Sequence, residues 1–291
     1  MQLPQETSDS SSPAALRVRI RSVTLMRPLQ WLALGWRDMT RCGWISVAHG
    51  IVLALLGWAI LLLAHDKFWL LAGAFSGFLV IAPVLATSLY ALSRALERGE
   101  QADFALVLRV WTSWQQSHAN KWGNDYWALV QFGSLLALAA LGWMLTSAAF
   151  VTLIAPAPVN SPLEFIRHVV LAKDGYVFEL WLGLGGLLAA PMFASSAVAM
   201  PLLLDRRVTL LQAVLTSWRT VLQNPVPMAF WAFLIMALTL LGFATLLLGL
   251  IVIVPMLGHA SWHAYRDLVD VSDLPERSPR PQTNPQTEAA R

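Results

Sequence analysis

From Thr220 to Tyr265 the chain carries no Asp, Glu, Lys or Arg. Run as one helix from Pro225, this stretch would be about 60 Å long at ~1.5 Å per residue, twice a hydrocarbon core of ~30 Å. Two spans joined by a turn near Thr239 to Thr245, around Gly242, fit the same residues. Four earlier apolar runs have spanning length: 43–64, 68–93, 126–154 and 178–204. With 225–241 and 245–265 the expectation is an all-α, polytopic membrane protein of six transmembrane helices. Composition agrees, since only 13% of residues are charged and 57% are hydrophobic, where soluble domains carry roughly 25% charged residues.

Residues 1–24 and 271–291 are polar and rich in Ser, Pro or Arg, and are expected as disordered tails around a membrane domain of 25–270. The first lacks the apolar core of a signal peptide. Between the spans lie amphipathic segments that carry Trp36 and Arg37, Trp114, and Trp218. These, with Arg94, Arg98 and Arg266 at span ends, are expected as interfacial anchors. With six spans, 17 of the 20 basic residues fall on one side. The positive-inside rule then puts both termini in the cytoplasm and the 155–177 loop outside. A single cysteine, Cys42, excludes an intramolecular disulfide.

The second run, GFLVIAPVLATSLYALSRALERGE (77–100), is echoed by GLIVIVPMLGHASWHAYRDLV (249–269). With Pro83 set on Pro255, Gly77 falls on Gly249, Tyr90 on Trp262 and Arg94 on Arg266. A fainter echo places Pro191 in the same role. The reading is three pseudo-repeated hairpins, each an interfacial segment, a span, and a proline-bearing span that ends in charge. Pro83, Pro191 and Pro255 then serve as kink and packing positions.

The 77–100 stretch, together with GWRDM (35–39), resembles the bacterial integral membrane proteins of domain-of-unknown-function family 2189, and the closing IVIVPMLGHASWHAYRDLV is similar to it as well. The resemblance spans most of residues 31–270. It implies a bacterial inner-membrane protein of about six helices, and brings no activity or site residues.

No catalytic constellation stands out, so the chain does not read as an enzyme. The spans lack internal charges of the kind that ion-coupled carriers keep. His49, His259 and His263 are the candidate cofactor ligands, the last two sharing a helix face at i, i+4. No cofactor is implied; haem or a transition metal at these imidazoles is the lesser alternative to plain hydrogen-bonded side chains. The functional expectation is a non-enzymatic scaffold, assembly or partner-binding protein of the membrane. Its partners would be lipids and other membrane proteins or a second copy, with no sign of nucleic acid. The alternative is a small-solute transporter or channel, whose pathway would draw on Ser76, Thr87, Ser88, Ser195, Ser196 and Thr239 between the three prolines.

Overall fold

A computed structural model describes residues 18–63, 68–117, 127–172 and 176–277. Helix α1 (Arg27–Cys42) opens with Pro28 in its first turn, where the missing N–H costs nothing. It ends at Gly43, whose φ of +57° turns the chain sharply into α2 (Trp44–Leu63). Helix α3 (Phe68–Leu85) is followed after one residue by α4 (Thr87–Glu97), the break at Ala86 falling three residues past Pro83. The Thr87 hydroxyl donates to the Val84 carbonyl at 2.6 Å, repairing the loosened ladder. After α5 (Phe104–Ser117), α6 (Trp127–Ile154) and the short α7 (Pro162–Phe165), helix α8 (Val177–Ser196) breaks in the same way past Pro191. There Ser195 and Ser196 donate to the Pro191 and Met192 carbonyls, and α9 (Ala199–Asp205) resumes. A Thr209–Gln212 capping box starts α10 (Leu210–Gln223), which meets α11 (Pro225–Ala244) at Asn224. Helix α12 (Leu250–Leu268) runs unbroken through the buried Pro255.

The turn between α11 and α12 comes later than its expected place at 239–245, because α11 stays helical to Ala244. It occupies Thr245 to Gly249 and holds Leu246 and Leu247 at φ +53° and +69°. Such left-handed leucines cost on the order of 1 kcal/mol each. Offsetting this, Leu247 is buried against Ala54 and Leu250, and the Thr245 hydroxyl caps the Gly249 N–H at 2.9 Å.

Among the described residues, four helices are long and apolar enough to cross a membrane: Trp44–Leu63, Trp127–Ile154, Val177–Asp205 and Pro225–Ala244. The apolar surface of α2 and α6 points outward, with few of their residues buried, whereas Val177–Asp205 is half buried. An exterior of that kind is suited to lipid, not water. Helices α3 and α12 run beside them. The second half of α12 carries His259, His263, Arg266 and Asp267, and it lies inside the bundle.

The main core sits at one end of the bundle. Trp31 of α1, Leu89 and Leu92 of α4, Leu202 to Leu204 of α9, Trp231 of α11, and Trp262 and Tyr265 of α12 are fully or almost fully buried there. Trp31 meets Trp231 edge-on at 5.6 Å, a geometry worth about 1 kcal/mol beyond the area buried. Helix α12 is the centre of this end, and glycine lets its neighbours approach. A Cβ on Gly50 would enter the Ile251 backbone, and one on Gly258 would come within 2.5 Å of Leu89 Cδ1. At the opposite end, Phe68, Phe165, Phe178 and Trp181 form an aromatic cluster over Val151, Val159 and Val169.

Residues 18–24 and 271–277, expected in disordered tails, are instead packed on the core end. Strand β1 (Arg19–Ile20) pairs antiparallel with β2 (Val269–Asp270). Asn224 accepts from Val23 N–H at 2.9 Å and donates to the Arg21 carbonyl at 3.1 Å. Val271 and Leu274 are buried. These polar segments are ordered because side chains and backbone of the bundle satisfy them, a long-range cause that local composition does not carry. The remaining tail residues lie outside the described residues.

Candidate functional site

The spaced polar side chains of four helices meet in one buried column. Helix α1 brings Asp38, α2 brings Ser46 and His49, α4 brings Ser88 and Ser93, and α12 brings His259 and His263. Asp38, Ser46, Ser88, Ser93 and His259 are all at most 2% exposed. Asp38 can only accept, so Ser93 donates to its Oδ2 at 2.9 Å. Ser93 Oγ therefore accepts from His259 Nδ1 at 2.7 Å, which leaves Nε2 to accept from Ser46 at 2.8 Å. His263 Nε2 donates to the same Asp38 oxygen at 2.7 Å. One level deeper, His49 Nδ1 donates to the Ile45 carbonyl at 2.7 Å and Nε2 accepts from Ser88, also at 2.7 Å.

Burial alone would raise the Asp38 carboxyl. The hydrogen bond and charge of His263, then the bond from Ser93, outweigh it and hold the group below its ordinary value. The column is thus an anion stored inside the bundle and neutralised by its own donors.

Both ring nitrogens of His49 and of His259 are spent on these bonds, and the two imidazoles share no partner. A haem or metal would have to break the Ser46 or Ser88 bond to reach a lone pair of either ring, while His263 is tied to Asp38 through Nε2. Among the described residues no group of three or more His, Cys, Asp or Glu is arranged for a metal ion. Nor is this a nucleophilic triad: Asp38 orients Ser93 and His263, not the histidine that holds Ser46, and Ser46 is fully buried.

A second cluster lies at the same end around Asp205, which is 2% exposed. It receives Arg94 at 3.3 Å, Arg98 at 3.3 Å, Arg206 at 3.0 Å and the Tyr265 hydroxyl at 2.8 Å. Arg98 and Arg206 also reach Glu276 at 3.3 Å, and Arg94 donates to the Arg277 carbonyl. Arg266 pairs with Glu97 at 2.8 Å, whose other oxygen accepts from Trp262. Three of the expected interfacial anchors, Arg94, Arg98 and Arg266, are therefore internal ties. Arg94 and Arg98 are held by the buried Asp205 carboxylate, and Arg266 by the more exposed Glu97. Trp36 and Arg37 are exposed on α1, and Trp218 is exposed on α10 with its Nε1 on Ser195 at 2.9 Å. The side chain of Trp114 lies outside the described residues.

Asp38 and Asp205 carry this end of the molecule, and neither was singled out by the sequence. Their signal was faint but present: one acid inside the otherwise basic GWRDMTR, and one acid at the apolar end of a span directly before two arginines.

A family described as Predicted integral membrane protein, DUF2189, matches residues 70–205. The match covers a little under half of the chain. It holds α4 and α9, and with them Ser88, Ser93, Arg94 and Asp205. The expected likeness over 31–270 narrows accordingly, since GWRDM and the closing proline helix fall outside the match. Asp38 and the α12 histidines thus complete the polar groups of the matched stretch from beyond its borders. No curated protein and no solved structure matches the chain.

Proposed function

We propose that this integral membrane protein is a six-span, non-enzymatic scaffold or partner-binding protein of the bacterial inner membrane. Helices α2, α6 and α11 lead away from the charged end, and α3, α8 and α12 lead back, giving three hairpins. The α3 helix, at 18 residues, covers about 27 Å, and α12 contributes an apolar first half. Both described ends of the chain meet in the β1–β2 pair, which favours an even number of crossings. The bias of basic residues favours the cytoplasm for that end.

The observation that carries the reading is where the hydroxyls go. A transporter or channel needs polar groups converging between Pro83, Pro191 and Pro255. Thr87, Ser195 and Ser196 instead bond back to their own helices, and Ser88 is spent on His49. Ser76 lies outside the described side chains. The buried charges tie helices to one another and to the terminal segments, which is the economy of a rigid platform.

Two measurements test this. Proteoliposomes holding the purified chain should pass small solutes no faster than empty vesicles. Photo-crosslinking groups placed in cells at Leu29 and Trp36, both exposed on α1, should trap discrete protein adducts. Selective uptake by the vesicles, or no adduct at either position, would sink the proposal.

A further inference from the structure

We propose that the recess between α10 and the terminal segments binds the headgroup phosphate of an anionic phospholipid. The recess has a volume of ≈ 120 Å³, well above the ~10–15 Å³ that admits one water. Val18, Val208, Leu215 and Leu274 form its apolar walls, and Gln212, Thr216 and Arg219 supply its polar groups. Thr216 is 4% exposed, and its hydroxyl makes no hydrogen bond among the described residues. Lining the recess, this hydroxyl is open to a guest. Arg219 lies one turn further along α10 and is exposed. It makes no ion pair among the described residues, whereas Arg94, Arg98, Arg206 and Arg266 at the same end are all paired to carboxylates.

The neighbouring surface decides which anion fits. Leu211, Leu215 and Leu222 are 67%, 52% and 70% exposed on the same helix. In an integral membrane protein such a face belongs among acyl chains. A phosphate with chains attached meets both demands at once. Its oxygens accept from the Arg219 guanidinium, whose planar fork suits them, and from the Thr216 hydroxyl. Its first methylenes cover Leu215 and Leu222. The site requires only that the chain sit in a membrane, so it stands apart from the scaffold reading.

Native mass spectrometry of the full chain in detergent tests it, with phosphatidylglycerol and phosphatidylcholine offered as equimolar competitors. One phosphatidylglycerol should be retained in preference, and Arg219→Gln should lower that preference about tenfold, as for one lost charge-assisted bond. Thr216→Val should lower it as well, and supplies the answer if the arginine variant fails to fold by circular dichroism. Equal retention of the two lipids, unchanged preference in the folded variants, or displacement of the lipid by millimolar inorganic phosphate would overturn the proposal.

Discussion

His263 Nε2 stands 2.7 Å from Asp38 Oδ2, joining the last helix of the bundle to the first. The same oxygen accepts from Ser93, so one carboxylate organises three helices. Asp38→Ala would leave His263 and Ser93 without their shared acceptor and destabilise the protein by about 3 kcal/mol, in the range for breaking a buried pair. Thermal unfolding in detergent reads this directly. Asp38→Asn should fall between the variant and the parent, because the amide oxygen still accepts.

The pH dependence of that tie has a definite sign. The folded Asp38 carboxyl sits below its ordinary value, and the unfolded one titrates near 3.9. Its contribution is therefore fully present above about pH 5 and is lost as pH falls through the folded value. His263, Ser93, His259, Arg37 and Cys42 are the groups that face it. The stability gap between parent and Asp38→Asn should narrow from about pH 5 downward. A gap that stays constant to pH 3 would show that the carboxylate's charge contributes nothing.

Asp205→Ala should free the terminal segment. Arg94, Arg98 and Arg206 would lose their common partner, and the 271–277 stretch, held through Glu276 and the Arg277 carbonyl, would become open to protease. Limited proteolysis should cut there at least tenfold faster than in the parent, a loss of about 1.4 kcal/mol or more in local opening. Cleavage elsewhere first would point to general unfolding.

Gly50→Leu should separate α2 from α12, since even a Cβ at this position meets the Ile251 backbone. Overpacking of this kind costs about 1–3 kcal/mol. The same substitution at Gly183, where a Cβ meets open space, should be close to neutral. Comparing the two melts separates a packing cost from an effect of glycine removal.

Orientation can be read with single cysteines at Asn160 and Ser272, both exposed, in a Cys42→Ala background. An impermeant thiol reagent outside intact spheroplasts should label the first and spare the second. Labelling of both, or of Ser272 alone, would contradict the six-span arrangement with a cytoplasmic tail.

Apolar run length made the long helices legible before any coordinates. The runs 43–64, 126–154 and 178–204 coincide within a residue or two with Trp44–Leu63, Trp127–Ile154 and Val177–Asp205. Burial in lipid leaves its mark on every residue of such a run. The helices end at Leu85 and Ser196, beyond Pro83 and Pro191, while α12 continues through Pro255. The polar column was harder to read. His259 and His263 stood out by rarity, but Ser46, Ser88 and Ser93 looked like ordinary small residues, and Asp38 like one charge of an interfacial segment. Their meaning arises only when helices far apart in sequence meet. Arg94 and Arg266 misled for the same reason: an arginine at a span end faces lipid by default, and only Asp205 and Glu97 turn it inward.

Because α12 sits at the centre of the charged end and follows α1, α2 and α4 in sequence, the order of synthesis matters for that end. A ribosome makes α12 after Asp38, Ser46 and Ser93. Until His259 and His263 arrive, those groups have no lasting partners, and β1 has no strand to pair with. This end therefore cannot close before α12 is made, and a chain cut short before residue 259 would carry unpaired polar groups at its centre, the kind of surface that quality-control proteases find.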